Sequence, residues 1–106
     1  MCIRDSPYVR AAINIKYDDK VRRAIEMLGL KYVIVQEKPR SYHITEDDVV
    51  NDIKALLKRL KYVPDVVIDC GGLGVEPIAY IFGIDAIDVA QKAISIASAY
   101  TTLNKY

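Results

Sequence analysis

Short β-branched runs alternate with stretches whose apolar residues recur at helical spacing, and this alternation leaves few architectures open. From Ala11 to Tyr17, Ile13 and Ile15 alternate with Asn14 and Lys16, the period of a strand. Val21, Ala24, Ile25 and Leu28 then make one apolar helical face, with Asp18 or Asp19 as its cap and Gly29 as its stop. Tyr32 to Val35 reads as a buried strand, followed by a loop from Glu37 to Ile44. Thr45 and Asp48 have the spacing of a capping box, and the helix they open carries Val49, Val50, Ile53, Leu57 and Leu60 on one side. Val66 to Ile68 is a third strand. Pro77 suits the first position of a short helical segment to about Phe82, which Gly83 breaks. Asp85 caps a last helix expected to turn Ile87, Ala90, Ile94 and Ala97 inward.

Each helix is long enough for a crossover. The expected fold class is therefore α/β: three layers around a mainly parallel sheet of alternating strands and helices, incomplete at the N-terminus, with right-handed crossovers. With 106 residues one domain is expected. Met1 to Ser6, MCIRDS, matches the translation of a common transposase adapter and is set aside as a foreign start. The expected divisions are 1–6 as this scar, 7–100 as the C-terminal part of a domain that extends upstream, and 101–106 as a frayed tail.

A formal net charge of +1 gives no electrostatic case for nucleic acid or an anionic membrane. Nucleic acid is expected as a partner only if a DNA-binding domain lies upstream. The most apolar stretch, Pro77 to Tyr100, is interrupted by Asp85, Asp88 and Lys92, which argues against a membrane span. Two cysteines, Cys2 and Cys70, make no disulfide framework or metal cluster, so a cytoplasmic setting is expected.

Ligands of open parallel sheets bind beyond the carboxyl ends of the strands. Asn14–Asp18, Glu37–His43 and Asp69–Glu76 should converge there. The block DCGGLGVEP, Asp69 to Pro77, is the most informative. Gly71, Gly72 and Gly74 could let N–H groups approach a phosphate, helped by a helix N-terminus at Pro77. Asp69 and Glu76 could bind a cationic ring, a hydroxyl or Mg²⁺. The same residues also read as a plain tight turn. Asn14 is either an amide contact to a substrate ring or a residue satisfying a sheet edge. His43 stands without a partner at ligand spacing and reads as a loop histidine. Lys54, Lys58, Arg59 and Lys61 read as a solvated basic helix end. No catalytic triad or zinc spacing stands out, so no catalytic residue is assigned.

The stretch RAAINIKY, Arg10 to Tyr17, resembles the RAAxNI signature of ThiN-type thiamine-phosphate synthases. PDVVIDCGGLGVEPIAYIFG, Pro64 to Gly83, is similar to that family's second block, and DAIDVAQKAISIA, Asp85 to Ala97, to its closing helix. The resemblance covers roughly residues 7–98. It implies a transferase that condenses hydroxymethylpyrimidine diphosphate with hydroxyethylthiazole phosphate, giving thiamine phosphate and pyrophosphate. The substrate contacts expected are the candidates read above, Asn14, Asp69, Gly71, Gly72, Gly74 and Glu76; no cofactor is certain, and Mg²⁺ with the diphosphate is allowed for. An Arg and a His that the family uses for synthesis lie upstream of its first block, so this chain alone is expected to be inactive. The second reading is the thiamine-phosphate-sensing domain of a helix-turn-helix regulator. Ligands are accordingly phosphorylated thiamine precursors or thiamine phosphate, and association into a homo-oligomer through an open sheet edge is allowed for.

Overall fold

The computed structural model describes residues 11–104. The opening hexapeptide set aside above lies outside them. Nine elements follow in order: β1 (Ala11–Lys16), α1 (Asp19–Met27), β2 (Tyr32–Gln36), β3 (Arg40–His43), α2 (Glu46–Arg59), β4 (Val66–Asp69), β5 (Gly72–Leu73), β6 (Ile78–Gly83) and α3 (Ala86–Leu103). β1, β6, β4 and β2 form a four-stranded sheet in that order, while β3 and β5 form a separate small pair.

The expected α/β layering is present. On one sheet face, Val66, Ile68, Ala79 and Ile81 pack with Val21, Ala24 and Ile25 of α1 and with Val89, Ile96 and Ala99 of α3. On the other, Val67, Tyr80 and Phe82 pack with Val49 and Ile53 of α2. β4 and β6 are therefore apolar on both faces, as strands buried between two helical layers must be.

The sheet is mixed rather than mainly parallel. Only β2 and β4 are parallel neighbours within it; β6 is antiparallel to both β1 and β4. The reason lies in Ile78–Gly83, expected to be helical and found as β6. Asp69 and Ile78 are paired across one short loop, which is too short for the dozen or more residues of a parallel crossover, so the chain must turn back on itself. Tyr80, Ile81 and Phe82 favour a pleated surface, and a short apolar run does not reveal its own period. The three strands that were legible, β1, β2 and β4, do share one direction; β6 is inserted against them.

The caps stand where the sequence placed them. Asp18 accepts the Val21 N–H at 2.9 Å, Gly29 stops α1 at φ 68°, Thr45 and Asp48 close a capping box, and Asp85 accepts the Asp88 N–H at 2.7 Å. Two expectations for the last helix are corrected. α3 runs through Leu103, which packs on the core, so Thr101–Leu103 are helix rather than frayed tail. Its inward face is Val89, Ala93, Ile96 and Ala99, whereas Ile87, Ala90, Ile94 and Ala97 face outward. α3 carries apolar residues outside its inward face as well, at Ile87, Ala90, Ile94 and Ala97, so helical spacing alone fits either set. The end of the sheet decides between them, because the Lys92 amine reaches the Phe82 carbonyl at 2.7 Å, Asp65 at 3.0 Å and Asp88 at 3.3 Å.

Asp88 also accepts the Ile84 N–H at 3.1 Å. That backbone hydrogen bond, seconded by Lys92, holds its carboxyl below the usual range. A lowered folded-state pKa contributes stability above the ordinary value of about 4, and that stability is lost as pH falls through the lowered one. Asp88→Ala should therefore melt below the parent near neutrality, and thermal melts across an acid series should show the gap closing below about pH 4. A gap independent of pH would assign the loss to packing instead.

Candidate functional site

The three segments expected at one sheet edge meet there. β1, β2 and β4 all end on it, and β6 begins on it. The Tyr17 N–H donates to the Pro77 carbonyl at 3.3 Å, Cys70 N–H to Gln36 at 3.0 Å, Arg40 N–H to Gly71 at 2.9 Å and Ile44 N–H to Leu73 at 3.0 Å. The segment read as a loop from Glu37 to Ile44 contains β3, because Arg40 and His43 find ladder partners in Gly72 and Leu73.

The edge is organised around a residue that the sequence reading missed. Arg40 is 7% exposed and lies against Asp69, which is 1% exposed. Its Nη1 and Nη2 donate to the two Asp69 oxygens at 2.8 and 3.0 Å. Nη2 also donates to Asp52 at 2.8 Å, and Nη1 to the Gly71 carbonyl at 3.0 Å. A two-pronged guanidinium–carboxylate contact is among the stronger hydrogen-bonded pairs, and it fixes geometry as well as charge. The hydrogen bonds that Arg40 donates to Asp69 raise its pKa further, so the cation persists at any working pH. Burial pushes the Tyr80 phenol up, with Asp69 and Glu46 adding to it, and burial does the same for the Cys70 thiol. A signal for Arg40 existed. Asp69 closes an apolar strand, and a charge buried there needs a partner. Which cation would supply it was a matter of tertiary contact.

The glycine block is a tight turn. Gly72 and Val75 exchange backbone hydrogen bonds at 3.0 and 3.2 Å, and the Gly71 N–H donates to Asp69 at 2.7 Å. Two of the three amides expected to cradle a phosphate are thereby occupied. The helix N-terminus expected at Pro77 is replaced by a strand, which removes the dipole that would have assisted them. Gly71 has φ 70°, and a Cβ there would meet the Val75 carbonyl oxygen at 2.2 Å. A Cβ on Gly72 would meet the Arg40 Cβ at 2.9 Å. Gly74, at φ 91°, is exposed beside the His43 ring, whose Nδ1 lies 2.9 Å from the Leu73 carbonyl.

Asp69, Gly71 and Gly72 are thus brought together around Arg40. Glu76 is exposed at the end of the turn. Asn14 lies apart from them on the edge strand, exposed and opposite Tyr80, and Lys16 lies opposite Ile78, which pairs with Asp69. Lys16 is a further exposed cation on this edge that the sequence reading did not single out. Asp69 does not suit direct Mg²⁺ ligation, because both its oxygens are engaged by Arg40. Among the described residues, no group of three or more His, Cys, Asp or Glu side chains could hold a metal ion. An apolar hollow of about 270 Å³, lined by Ile15, Val21, Ile96 and Tyr100 together with Lys16 and Asp18, opens between β1, α1 and α3; it adjoins this edge through Lys16 and Asp18, and none of Asn14, Asp69, Gly71, Gly72, Gly74 and Glu76 lines it.

Open α/β sheets that bind ligands do so beyond the carboxyl ends of their strands, and this polar, turn-built edge lies there. The family model of thiamine-phosphate synthase ThiN matches residues 1–95, and the chain belongs to that family. It is 33% identical over 106 residues to the thiamine-phosphate synthase ThiN of Methanothermobacter thermautotrophicus, covering 92% of this chain and 53% of that protein. It is 33% identical over 102 residues to the bifunctional thiamine biosynthesis protein ThiDN of Methanocaldococcus jannaschii, covering 92% of this chain and 23% of that one. Among solved structures, the C-terminal domain of protein MJ0236 superposes with a TM-score of 0.67 at 29% identity, over 90% of this chain and 51% of the other. The chain thus spans about half the length of the ThiN relative, and a quarter or less of the bifunctional one.

Proposed function

We propose that this chain supplies one side of the ligand site of a thiamine-phosphate synthase. The reaction joins the ring nitrogen of hydroxyethylthiazole phosphate to the exocyclic carbon of hydroxymethylpyrimidine diphosphate. The C–N bond forms as the C–O bond to the diphosphate breaks, and pyrophosphate leaves with that electron pair. No helix of the described residues is long and apolar enough to cross a membrane, and we place the reaction in the cytoplasm.

The observation that carries the reading is that the two blocks of the family resemblance, distant in sequence, are joined in space. RAAINIKY supplies β1, PDVVIDCGGLGVEPIAYIFG supplies β4 and β6, and β1 and β6 are zipped from Ala11–Gly83 to Lys16–Ile78. Within this reading Asn14, Gly74 and Glu76 contact substrate from exposed positions, and Lys16 attracts a phosphate. Asp69, Gly71 and Gly72 act from behind, by holding the turn through Arg40. Mg²⁺ is carried on the diphosphate as part of the substrate. Such chemistry depends on placing two reactants and holding a leaving anion rather than on proton transfer.

Titration calorimetry of this chain with thiamine phosphate and with pyrophosphate tests the proposal. We expect measurable binding of both, and binding of thiamine phosphate weakened about tenfold or more by Asn14→Ala or Glu76→Gln, the loss of roughly one hydrogen bond to a charged group. Unchanged affinity in folded variants would reject these contacts. With both precursors supplied we expect no thiamine phosphate from this chain alone; measured turnover would place the catalytic groups within it.

A further inference from the structure

The outer face of α3 has no counterpart among the described residues. Within α3, Ile87 and Ile94 are 69% and 68% exposed, and Ala90 and Ala97 are exposed beside them. Single exposed apolar residues are ordinary, but a stripe of four on one helix face is not. Asp88 and Lys92 are the only charges in α3, and both are tied into the inner cluster with Asp65. The hydroxyls of Thr101 and Thr102 donate back to the Ala97 and Ser98 carbonyls at 3.0 and 3.1 Å, which lowers the polarity of the helix end further. The stripe from Ile87 to Ala97 thus has no charge of its own, and the exposed polar residues of α3, Gln91, Ser95 and Ser98, lie to one side of it.

The spacing says what would cover it. Ile87, Ala90, Ile94 and Ala97 recur at three and four residues, the pattern of a coiled-coil seam, with a large residue alternating with a small one. In an antiparallel pair of such helices, each first seam position faces the partner's second. Ile87 then faces Ala97 of the other copy, and Ile94 faces Ala90, so every bulky knob meets a hole. A parallel pair would stack isoleucine on isoleucine and alanine on alanine. The pattern is self-complementary about a two-fold axis near Lys92, and a closed dimer needs just such an isologous patch.

We infer that α3 is a dimerisation helix, pairing antiparallel with α3 of a second copy of this chain. Each half of the seam supplies both the knobs and the holes, and the partner needs no charge of its own.

Sedimentation velocity over a micromolar concentration series tests this. The chain should dimerise, and Ile87→Glu combined with Ile94→Glu should raise the dissociation constant about a hundredfold or more. Both residues are exposed in the monomer, so circular dichroism should show an unchanged fold. Ala90→Leu combined with Ala97→Leu separates a fitted seam from a sticky face. Filling the holes should weaken the dimer about tenfold, whereas nonspecific association would strengthen with the added apolar surface. A chain that stays monomeric throughout would overturn the inference, as it would if this face packed within a longer natural chain. A dimer indifferent to the glutamates, as one formed through the edge of β1 would be, would overturn it too.

Discussion

Asp69→Ala should lower the unfolding free energy by about 3–5 kcal/mol, the cost of leaving one member of a buried ion pair behind. Arg40 would keep only Asp52 and the Gly71 carbonyl, and the Gly71 N–H would lose its acceptor. For a small domain this is a large share of the total. Asp52 also bonds Arg40, but its side chain is 53% exposed, so Asp52→Ala should cost no more than about 1 kcal/mol. Urea unfolding of the two variants checks the contrast. Equal midpoints would mean that the buried contact does not organise the edge. Replacing both partners with apolar residues, Arg40→Met with Asp69→Leu, should recover part of the loss, because no stranded charge remains.

Gly71→Ala is expected to cost about 2–5 kcal/mol, combining left-handed backbone strain with overpacking. Its φ of 70° disfavours any side chain, and its Cβ would lie 2.2 Å from the Val75 oxygen and 2.9 Å from that of Glu76. Gly29 has nearly the same φ, 68°, with nothing within 4 Å of a Cβ, so Gly29→Ala should cost only the strain, about 1–2 kcal/mol. The difference between the two melts isolates the close approach. Because the Gly71 carbonyl accepts from both the Arg40 N–H and its guanidinium, Gly71→Ala should also loosen β3 and expose its amides to faster hydrogen exchange. Equal costs at Gly71 and Gly29 would show that the turn yields freely.

These two variants bear on what the glycine block is for. Its glycines serve first to let the chain turn tightly beneath Arg40. Glu76, Gly74 and Lys16 at the end of β1 stay exposed once that turn is built, which is why the proposed ligand contacts include them rather than a backbone phosphate cradle.

Local chemistry was legible in the sequence. The caps at Asp18, Thr45 and Asp85 and the stop at Gly29 are decided by groups a few residues apart. The strands at Ala11, Tyr32 and Val66 follow from period-two or β-branched runs. The order of the two blocks was enough to indicate the family. The direction of β6 was not legible, because IAYIFG fits a buried strand or a buried helical turn equally well. The partner of Asp69 lies 29 residues away on a strand that forms only when β5 is beside it. The sequence reading turned Ile87, Ala90, Ile94 and Ala97 of α3 inward, the wrong side, because that side is apolar too; Lys92 reaching Asp65 and the end of β6 puts Val89, Ala93, Ile96 and Ala99 there instead. What the sequence determined by itself were the interactions within one turn or one strand. Only the tertiary structure could decide the rest, since each such choice pairs residues whose separation along the chain carries no periodic signal.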